Sequence, residues 1–232
     1  MKRFLSILST CVLGVVLCTA NAAAPVHYID PTTVDLRQLL PNPPADDSAE
    51  TKREIATVLR EQLKRTPADV ARALAEDDYQ PSIYADVLGP KFTEQRLPIT
   101  FALLRAVTNN AREVSNTAKS TWNRPRPPQA DSRVKPAIPV PANASYPSGH
   151  AMRGHLGALV LAELFPEKRS ALIERGWLVG WDRVIGGVHY PSDIAAGFKL
   201  GEILGQQFLA SDAFKADLEK ARGEGKAVFG EP

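Results

Sequence analysis

The sequence predicts an all-α protein built as a single helical domain. Apolar residues recur every three or four positions along most of the chain, as at Leu103, Val107 and Val114, and this period is typical of amphipathic helices. Prolines and capping residues separate these segments, and no run alternates apolar and polar residues convincingly enough to predict a strand. The pattern therefore favours a bundle of helices around one core.

Residues 1–22 are predicted to be a secretory signal peptide. Lys2 and Arg3 form a basic start, residues 4–18 are mostly apolar, and Ala-Asn-Ala at 20–22 matches the small-x-small cleavage pattern. A membrane anchor is the weaker alternative, because the apolar run is shorter than the ~20 residues that a membrane-spanning helix needs. We therefore expect export to the periplasm, and no membrane span in the mature chain.

Composition narrows the function of the mature chain. Cleavage would remove both cysteines, so the exported protein would have neither a thiol nor a disulfide. It would also remove Lys2 and Arg3, which lowers the formal net charge from +2 to zero. A balanced charge gives no support to nucleic-acid or membrane-surface binding. We expect small molecules as ligands, and a homo-oligomer as the assembly.

The helical domain is predicted at residues 48–232, after a proline-rich arm at residues 23–47. A capping box at Asp47 and Glu50 predicts the first helix, and Thr66 followed by a proline predicts the second. A long helix is predicted from Pro98 to Trp122, with Ile99, Leu103 and Val107 facing inward. Prolines make residues 123–146 a long loop. Further helices are predicted at 148–165, 167–186, 192–210 and 211–222, the last ending at Gly223.

A candidate anion site lies where the helix at residue 148 begins. Free N–H groups and a partial positive charge at a helix N-terminus attract phosphate. Gly149 permits close approach of an anion, and Ser148 offers a hydroxyl donor. Taken alone, Ser148 and Gly149 are more readily explained as a helix cap and a turn. With His150 beside them an anion site becomes the better explanation, because an imidazole in the first turn faces whatever the N-terminus binds.

A second candidate group is His189 with Asp193 four residues later. A carboxylate bonded to one ring nitrogen fixes the tautomer and leaves the other nitrogen free to attack. This spacing is also common in surface ion pairs. Here it follows two glycines and precedes a helix, at the kind of junction that displays reactive side chains.

Lys119, Arg126 and Arg183 supply fixed positive charge that suits phosphate oxygens. Each of them taken singly is more readily explained as a surface charge. Arg124 lies two residues from Arg126, and spacing alone does not say which of the two points inward.

Together these motifs resemble the three-part signature of the type 2 phosphatidic acid phosphatase superfamily. Within it the chain is similar to the bacterial class A non-specific acid phosphatases, to which residues 39–44, Ser145-Tyr146 and residues 159–163 also correspond. The resemblance covers about residues 39–221. It implies the all-helical fold shared with vanadium haloperoxidases, and a phosphoric monoester hydrolase that needs neither metal nor cofactor.

The resemblance also implies a role for each candidate residue. His189 would attack phosphorus and form a phosphohistidine, Asp193 would orient it, and His150 would protonate the leaving group. The substrate phosphate would be bound by Lys119, Arg126, Ser148, Gly149 and Arg183. Phosphate transfer to a second alcohol is left open. Two alternatives remain: a vanadate-dependent haloperoxidase, and a non-catalytic phosphate-binding protein.

One position departs from the family pattern. The third motif usually has serine before its arginine, whereas this chain has Asp182 before Arg183. That carboxylate either pairs with Arg183 and weakens phosphate binding, or points away.

Overall fold

The computed structural model of the protein describes residues 27–230, which lie in ten α-helices and their connections, with no strand in that range. The helices are α1 (Leu36–Leu39), α2 (Ala49–Lys64), α3 (Pro67–Ala75), α4 (Ala85–Leu88), α5 (Pro98–Trp122), α6 (Pro127–Ala130), α7 (Gly149–Leu164), α8 (Arg169–Ile185), α9 (Pro191–Ala210) and α10 (Asp212–Phe229). The predicted all-α class is confirmed. The predicted signal peptide lies outside the described residues.

Helix α7 is the centre of the bundle and packs against α5, α8 and α9. Its residues are buried on nearly all sides, with Met152, Leu156 and Leu161 fully inaccessible to solvent. A helix that is apolar all round has to lie inside a core. Helix α10 packs against α5 and α9 and covers the outside of the core.

Two glycines let α7 and α8 approach closely. A Cβ on Gly154 would lie 2.7 Å from the carbonyl oxygen of Gly176, and a Cβ on Gly176 would lie 2.5 Å from that of Gly154. The connection from α7 to α8 is short, so the two helices run antiparallel. His150 at the start of α7 therefore lies at the same end of the bundle as Arg183 in the last turn of α8.

The other site elements reach this same end. Helix α9 begins at Pro191, shortly after α8 ends, so its N-terminus lies beside the C-terminus of α8. Lys119 lies in the last turn of α5. The end of the bundle where α5 and α8 finish and α7 and α9 begin is where the sequence motifs meet.

Most predicted helices are confirmed. The loop predicted at residues 123–146 was wrong in part, because it contains the short helix α6, which begins at Pro127. Three details of the predicted helices were also wrong. The N-cap of α2 is Ser48, whose side chain accepts from the backbone N–H of Thr51, and not Asp47. Gly223 lies inside α10, which continues to Phe229. Ile99 is 43% exposed, since it lies in the first turn of α5, outside the core.

The segment predicted as a proline-rich arm contributes to the core. Within residues 27–47, Leu36 and Leu40 are buried against the main cluster of apolar residues, and Tyr28 packs edge-on against Phe208 and Phe214. The division of the chain at residue 47 stays a prediction. In the range that the structure describes, no helix combines the length and apolar character required for a membrane span.

Candidate active site

A cavity of about 330 Å³ opens at the end of the bundle where the motifs meet. Five of the eight predicted site residues line it, namely Lys119, Arg126, Gly149, His150 and His189. The other three, Ser148, Arg183 and Asp193, are buried close to these five. The remaining polar lining includes Asp77, Asp78, Arg112, Ser115, Asn116, Asn143 and Arg153.

The start of α9 fixes the His189–Asp193 pair. Asp193 is the third residue of α9, and its Oδ2 accepts from the backbone N–H of Tyr190 at 2.9 Å, as in a capping box. The same oxygen lies 3.0 Å from Nδ1 of His189 and accepts from the Ser145 hydroxyl at 2.5 Å. The carboxylate that caps the helix therefore also holds the imidazole.

Burial sets the charge state of this pair. Desolvation lowers the pKa of His189 to about 3, and the neighbouring Arg126 and Lys119 act in the same direction. Burial alone would raise the pKa of Asp193, but the hydrogen bond from His189 and the charge on Arg124 outweigh it and bring that pKa to about 2. At neutral pH the pair is thus a carboxylate and a neutral imidazole protonated at Nδ1.

Arg124 and Arg126, in the segment at residues 123–146, both point inward and have different partners. Arg126 donates from Nη1 to Nε2 of His189 at 3.1 Å and to the carbonyl of Val188 at 2.9 Å. Arg124 donates from Nη1 to Oδ1 of Asp193 and from Nη2 to Oε2 of Glu54, both at 2.8 Å. Arg126 therefore faces Nε2 of His189, while Arg124 holds the Asp193 carboxylate.

Lys119 ties the long loop to the start of α7. Its Nζ donates to the carbonyl oxygens of Ala144 at 2.7 Å and Pro147 at 3.0 Å. Burial lowers the pKa of Lys119 to about 7, and the charge on Arg126 contributes. Its positive charge is therefore present in mild acid and lost just above neutral pH.

His150 and Ser148 have well-defined partners. Nε2 of His150 lies 3.0 Å from the carbonyl oxygen of Asp77, so this nitrogen carries the proton in the neutral ring. Burial, together with the charges of Arg183 and Arg153, holds the pKa of His150 well below its usual value. The Ser148 hydroxyl accepts from the backbone N–H of Ala151 at 3.3 Å and caps α7.

Arg183 is buried and bonds Asp77, the residue whose carbonyl oxygen lies against His150. Its Nη1 donates to Asp77 at 3.1 Å, and its Nη2 donates to the carbonyl of Ala73. Its Nε is buried and has no hydrogen-bond partner among residues 27–230. This N–H is a donor that the protein itself leaves unused.

Asp182 points away from Arg183. Its two oxygens accept from Nε and Nη2 of Arg72, each at 2.7 Å, and Arg72 also donates to Asp69 at 3.0 Å. The bidentate pair joins α8 to α3 with Asp182 fully buried. Of the two possibilities that the sequence left open, the structure favours the one that leaves Arg183 available.

The variant Asp182→Ser is expected to lose stability without losing phosphate affinity. Removing the carboxylate leaves Arg72 without its main partner, and we expect the free energy of unfolding to fall by about 1–3 kcal/mol in urea titrations. Asp212→Ser, which removes a surface pair at a position 98% exposed, is the control and should change it by less than about 0.5 kcal/mol. A large fall in KM in the Asp182 variant would contradict this placement.

Several contributors to the candidate site were not predicted, and three of them support the predicted residues directly or share a helix face with them. Glu54 on α2 bonds Arg124 and the backbone N–H of Ser192, and its position 70 residues from Arg124 gives no sequence signal. Ser145 bonds Asp193, and only its place before the Pro-Ser-Gly-His motif marks it. Ser115 lines the cavity four residues before Lys119, a spacing that places both on one face of α5.

One further histidine, His155, lies outside this cavity. His155 lies 3.1 Å from Glu202 and packs against Phe198, and it does not line the cavity. Among residues 27–230, no three histidine, cysteine or acidic side chains come together in a way that would hold a metal ion.

Comparison with known proteins identifies the family. Residues 98–213 match the family model described as the PAP2 superfamily, and this range contains all eight predicted site residues. The chain belongs to the PAP2 superfamily. The predicted family and its helical fold are thereby confirmed.

Two curated relatives of the chain are acid phosphatases. A non-specific acid phosphatase of Salmonella typhimurium is 35% identical over 61% of this chain and 59% of its own length. An acid phosphatase of Zymomonas mobilis is 32% identical over 77% of this chain and 67% of its own length. The chain thus spans about three fifths to two thirds of these relatives.

A solved structure shows the same fold at lower identity. A bacterial vanadium-dependent iodoperoxidase superposes with a TM-score of 0.60 at 21% identity, over 77% of this chain and 54% of that protein. At this identity the likeness concerns the arrangement of helices alone.

Proposed function

We propose that this protein is an acid phosphatase that hydrolyses phosphomonoesters through a phosphohistidine at His189, without a metal ion. One observation carries the proposal. Asp193 holds Nδ1 of a neutral imidazole while Nε2 faces Arg126 in a cavity lined by cations. The acid phosphatases among its relatives support the same activity.

In the first step, Nε2 of His189 attacks phosphorus and the bond from phosphorus to the ester oxygen breaks. The electron pair of that bond goes to the leaving oxygen, which takes a proton from His150. The imidazolium that forms on His189 is stabilised by the Asp193 carboxylate. Arg126 releases Nε2 when its guanidinium turns to a phosphoryl oxygen.

In the second step, a water molecule attacks the phosphohistidine. His150, now neutral, takes a proton from this water, and the bond from phosphorus to Nε2 breaks to release inorganic phosphate. The low pKa of His150 in the free protein suits the role of base. A bound phosphoryl group raises that pKa, because its negative charge offsets Arg183 and Arg153, and this prepares His150 as the acid.

Charge on the phosphoryl oxygens is stabilised by the cations and by the start of α7. Lys119 and Arg126 line the cavity directly, and the N–H of Gly149 lies at the helix N-terminus. Arg183 contributes its unused Nε, and Ser148 its hydroxyl proton, since the hydroxyl oxygen is already engaged as an acceptor.

The activity is tested by phosphate release from p-nitrophenyl phosphate in the presence of a chelator. We expect the same rate with and without the chelator. Loss of activity that is restored by a divalent ion would contradict the metal-independent mechanism. No release under any condition would favour a non-catalytic phosphate-binding protein.

The pH profile of kcat/KM is expected to be bell-shaped, with its maximum in mild acid. His189 attacks only when neutral, so activity should fall as the pH drops toward its pKa of about 3. Lys119 binds phosphate only when charged, so activity should fall as the pH rises through its pKa of about 7. A flat profile from acid to alkaline pH would contradict this assignment.

The variant Lys119→Arg tests whether Lys119 sets the alkaline limb of the pH profile. Arginine stays charged, so the alkaline limb should move up by at least about one pH unit while the acid limb stays in place. Lys215→Arg, at an exposed position on α10, is the control and should leave both limbs unchanged. The assignment of the alkaline limb to Lys119 fails if that limb does not move.

Three further properties belong to the same proposal. The apolar start of the chain supports export to the periplasm, with residues 1–22 removed. An alcohol that replaces water in the second step would make the enzyme a phosphotransferase as well. We also propose a homo-oligomer. Size-exclusion chromatography of the mature protein, and phosphate transfer to glycerol, would test the last two.

The haloperoxidase alternative makes a different prediction from the same anion site. Vanadate resembles phosphate in charge and shape, so the residues proposed to bind the phosphoryl group would also hold vanadate. Oxidation of iodide by peroxide in the presence of added vanadate, without hydrolysis of p-nitrophenyl phosphate, would favour that alternative.

A further inference from the structure

Two further cations line the cavity, and in the proposed mechanism neither touches the phosphoryl group bound at His189. Arg112 is exposed on α5, and Arg153 is partly buried on α7, and both line the cavity. Within residues 27–230 neither has a carboxylate at salt-bridge distance. The two like charges are close enough that Arg112 lowers the pKa of Arg153, after the larger effect of burial. An anion between them would relieve this repulsion.

These residues continue a polar face of α5 toward solvent. Arg112, Ser115, Asn116 and Lys119 follow the spacing of one helical face, and all four line the cavity. The Cα atoms of Arg112 and Lys119 are about 10 Å apart along the axis, from a rise of about 1.5 Å per residue. This face therefore leads from the proposed phosphoryl site to the cavity mouth.

Ser115, between the two ends, has an unused hydroxyl. It is buried, its Oγ has no hydrogen-bond partner among the described residues, and it lies 3.6 Å from where a Cβ on Gly149 would be. A buried hydroxyl without a partner is unfavourable in the protein alone. A ligand in the cavity would supply an acceptor.

Arg153 is held in place at the mouth by its neighbours. Its Nε donates to the carbonyl of Gly149 at 3.2 Å, and its guanidinium lies 5.1 Å from the centre of the Tyr79 ring. Its two terminal nitrogens have no hydrogen-bond partner among residues 27–230. They remain free to bind a ligand in a fixed orientation.

Two acidic residues also line the cavity, and Asp78 raises the pKa of Arg153 by less than Arg112 lowers it. Asp77 is paired with Arg183 at 3.1 Å. Asp78 accepts from the side chain of Gln80 at 3.0 Å. Neither carboxylate lies at salt-bridge distance from Arg112 or Arg153.

We propose that Arg112, Ser115 and Arg153 form a subsite for a second anionic group on the substrate. The preferred substrates would be small phosphate esters that carry a further phosphate or carboxylate a few bonds from the scissile phosphoryl group. This inference rests on the proposed phosphatase function and narrows its substrate class. The exposed position of Arg112 makes the preference sensitive to salt.

Matched substrates test the subsite. Initial rates of phosphate release are measured for propyl phosphate, for propane-1,3-diol bisphosphate and for 3-(phosphonooxy)propanoate at low ionic strength. After correction for its two equivalent phosphoryl groups, the bisphosphate should show a kcat/KM about tenfold or more above that of propyl phosphate. The carboxylate compound tells whether the subsite accepts any anion or requires a phosphate.

Variants of the two arginines then show which residues cause the preference for the bisphosphate. Arg153→Gln is expected to lower the ratio of the two kcat/KM values by about tenfold, and Arg112→Gln by roughly threefold, because Arg112 is the more exposed. Arg153→Lys should restore part of the ratio. Arg169→Gln removes the same charge about 20 Å away at the far end of α8, and should leave the ratio within about twofold.

The outcomes separate the two levels of the proposal. If neither substrate is hydrolysed, the proposed phosphatase function itself is overturned. If the wild type hydrolyses both substrates with a ratio of kcat/KM values near one, the subsite is overturned and the proposed phosphatase function stands. A high ratio that survives both arginine variants, or that falls equally in Arg169→Gln, shows a general charge effect and also overturns the subsite.

Discussion

Replacing His189 by alanine is expected to lower phosphate release from p-nitrophenyl phosphate by about 10⁴-fold or more. In the proposed mechanism this variant lacks the nitrogen that forms the bond to phosphorus. No other imidazole among the described residues occupies that position, since His150 is engaged with the Asp77 carbonyl. No covalent phosphoenzyme should form. The measurement is steady-state release at the pH optimum of the wild type, together with a phosphoenzyme assay after rapid quench.

Two other histidine variants are the controls. His150→Ala should still form the phosphoenzyme from p-nitrophenyl phosphate, since nitrophenolate leaves without a proton, but should hydrolyse it slowly, so the intermediate accumulates. His155→Ala, outside the cavity, should stay within about twofold of the wild type. Substantial activity in His189→Ala, or an equal loss in His155→Ala, would contradict the roles proposed for these histidines.

Replacing Arg124 by methionine is expected to lower the free energy of unfolding by about 3–5 kcal/mol. Arg124 is buried between Asp193 and Glu54, and its loss leaves both carboxylates without their counter-charge. Urea titration at neutral pH measures the effect. Arg133→Met, where the side chain is 72% exposed, removes a surface pair and should cost less than about 1 kcal/mol.

The pH profile shows whether Arg124 also positions His189 and Asp193 for the proposed reaction. Its charge lowers the pKa of Asp193, so removing it raises that pKa, and Asp193 becomes protonated at a higher pH. A protonated Asp193 no longer holds Nδ1 of His189 as the proposed mechanism requires, so the acid limb of kcat/KM should move upward in Arg124→Met once Asp193 titrates above His189. It should return toward its original place in Arg124→Lys. A loss of stability with an unmoved acid limb would mean that Arg124 has only a structural role.

The helices were predictable because their signals are local. The proline that opens α5 and the apolar period along it were enough to predict Pro98–Trp122. The errors have tertiary causes. A Cβ on Gly223 would meet no neighbour within 4 Å, so this glycine lies on the open side of α10, while Phe229 packs against Phe165 and extends the helix past it.

The grouping of the candidate site residues was predictable where they belong to linear motifs. Lys119, Arg126, His150 and His189 could be selected from their order and spacing, and the fold gathers them at one end of the bundle. Partners from distant helices leave no such signal. Glu54 beside Arg124, and Arg72 beside Asp182, are ordinary charges on α2 and α3 until the helices pack against α8 and α9.

The phosphohistidine is tested most directly by locating the phosphoryl group on the wild-type protein. Phosphorus-labelled substrate is quenched in alkali during turnover with a chelator present, because phosphohistidine is stable in alkali and labile in acid. Trypsin separates the two candidates, since His189 falls in residues 184–199 and His150 in residues 134–153. We predict label in the peptide of residues 184–199, and turnover without any labelled protein, or label on residues 134–153, would contradict the mechanism.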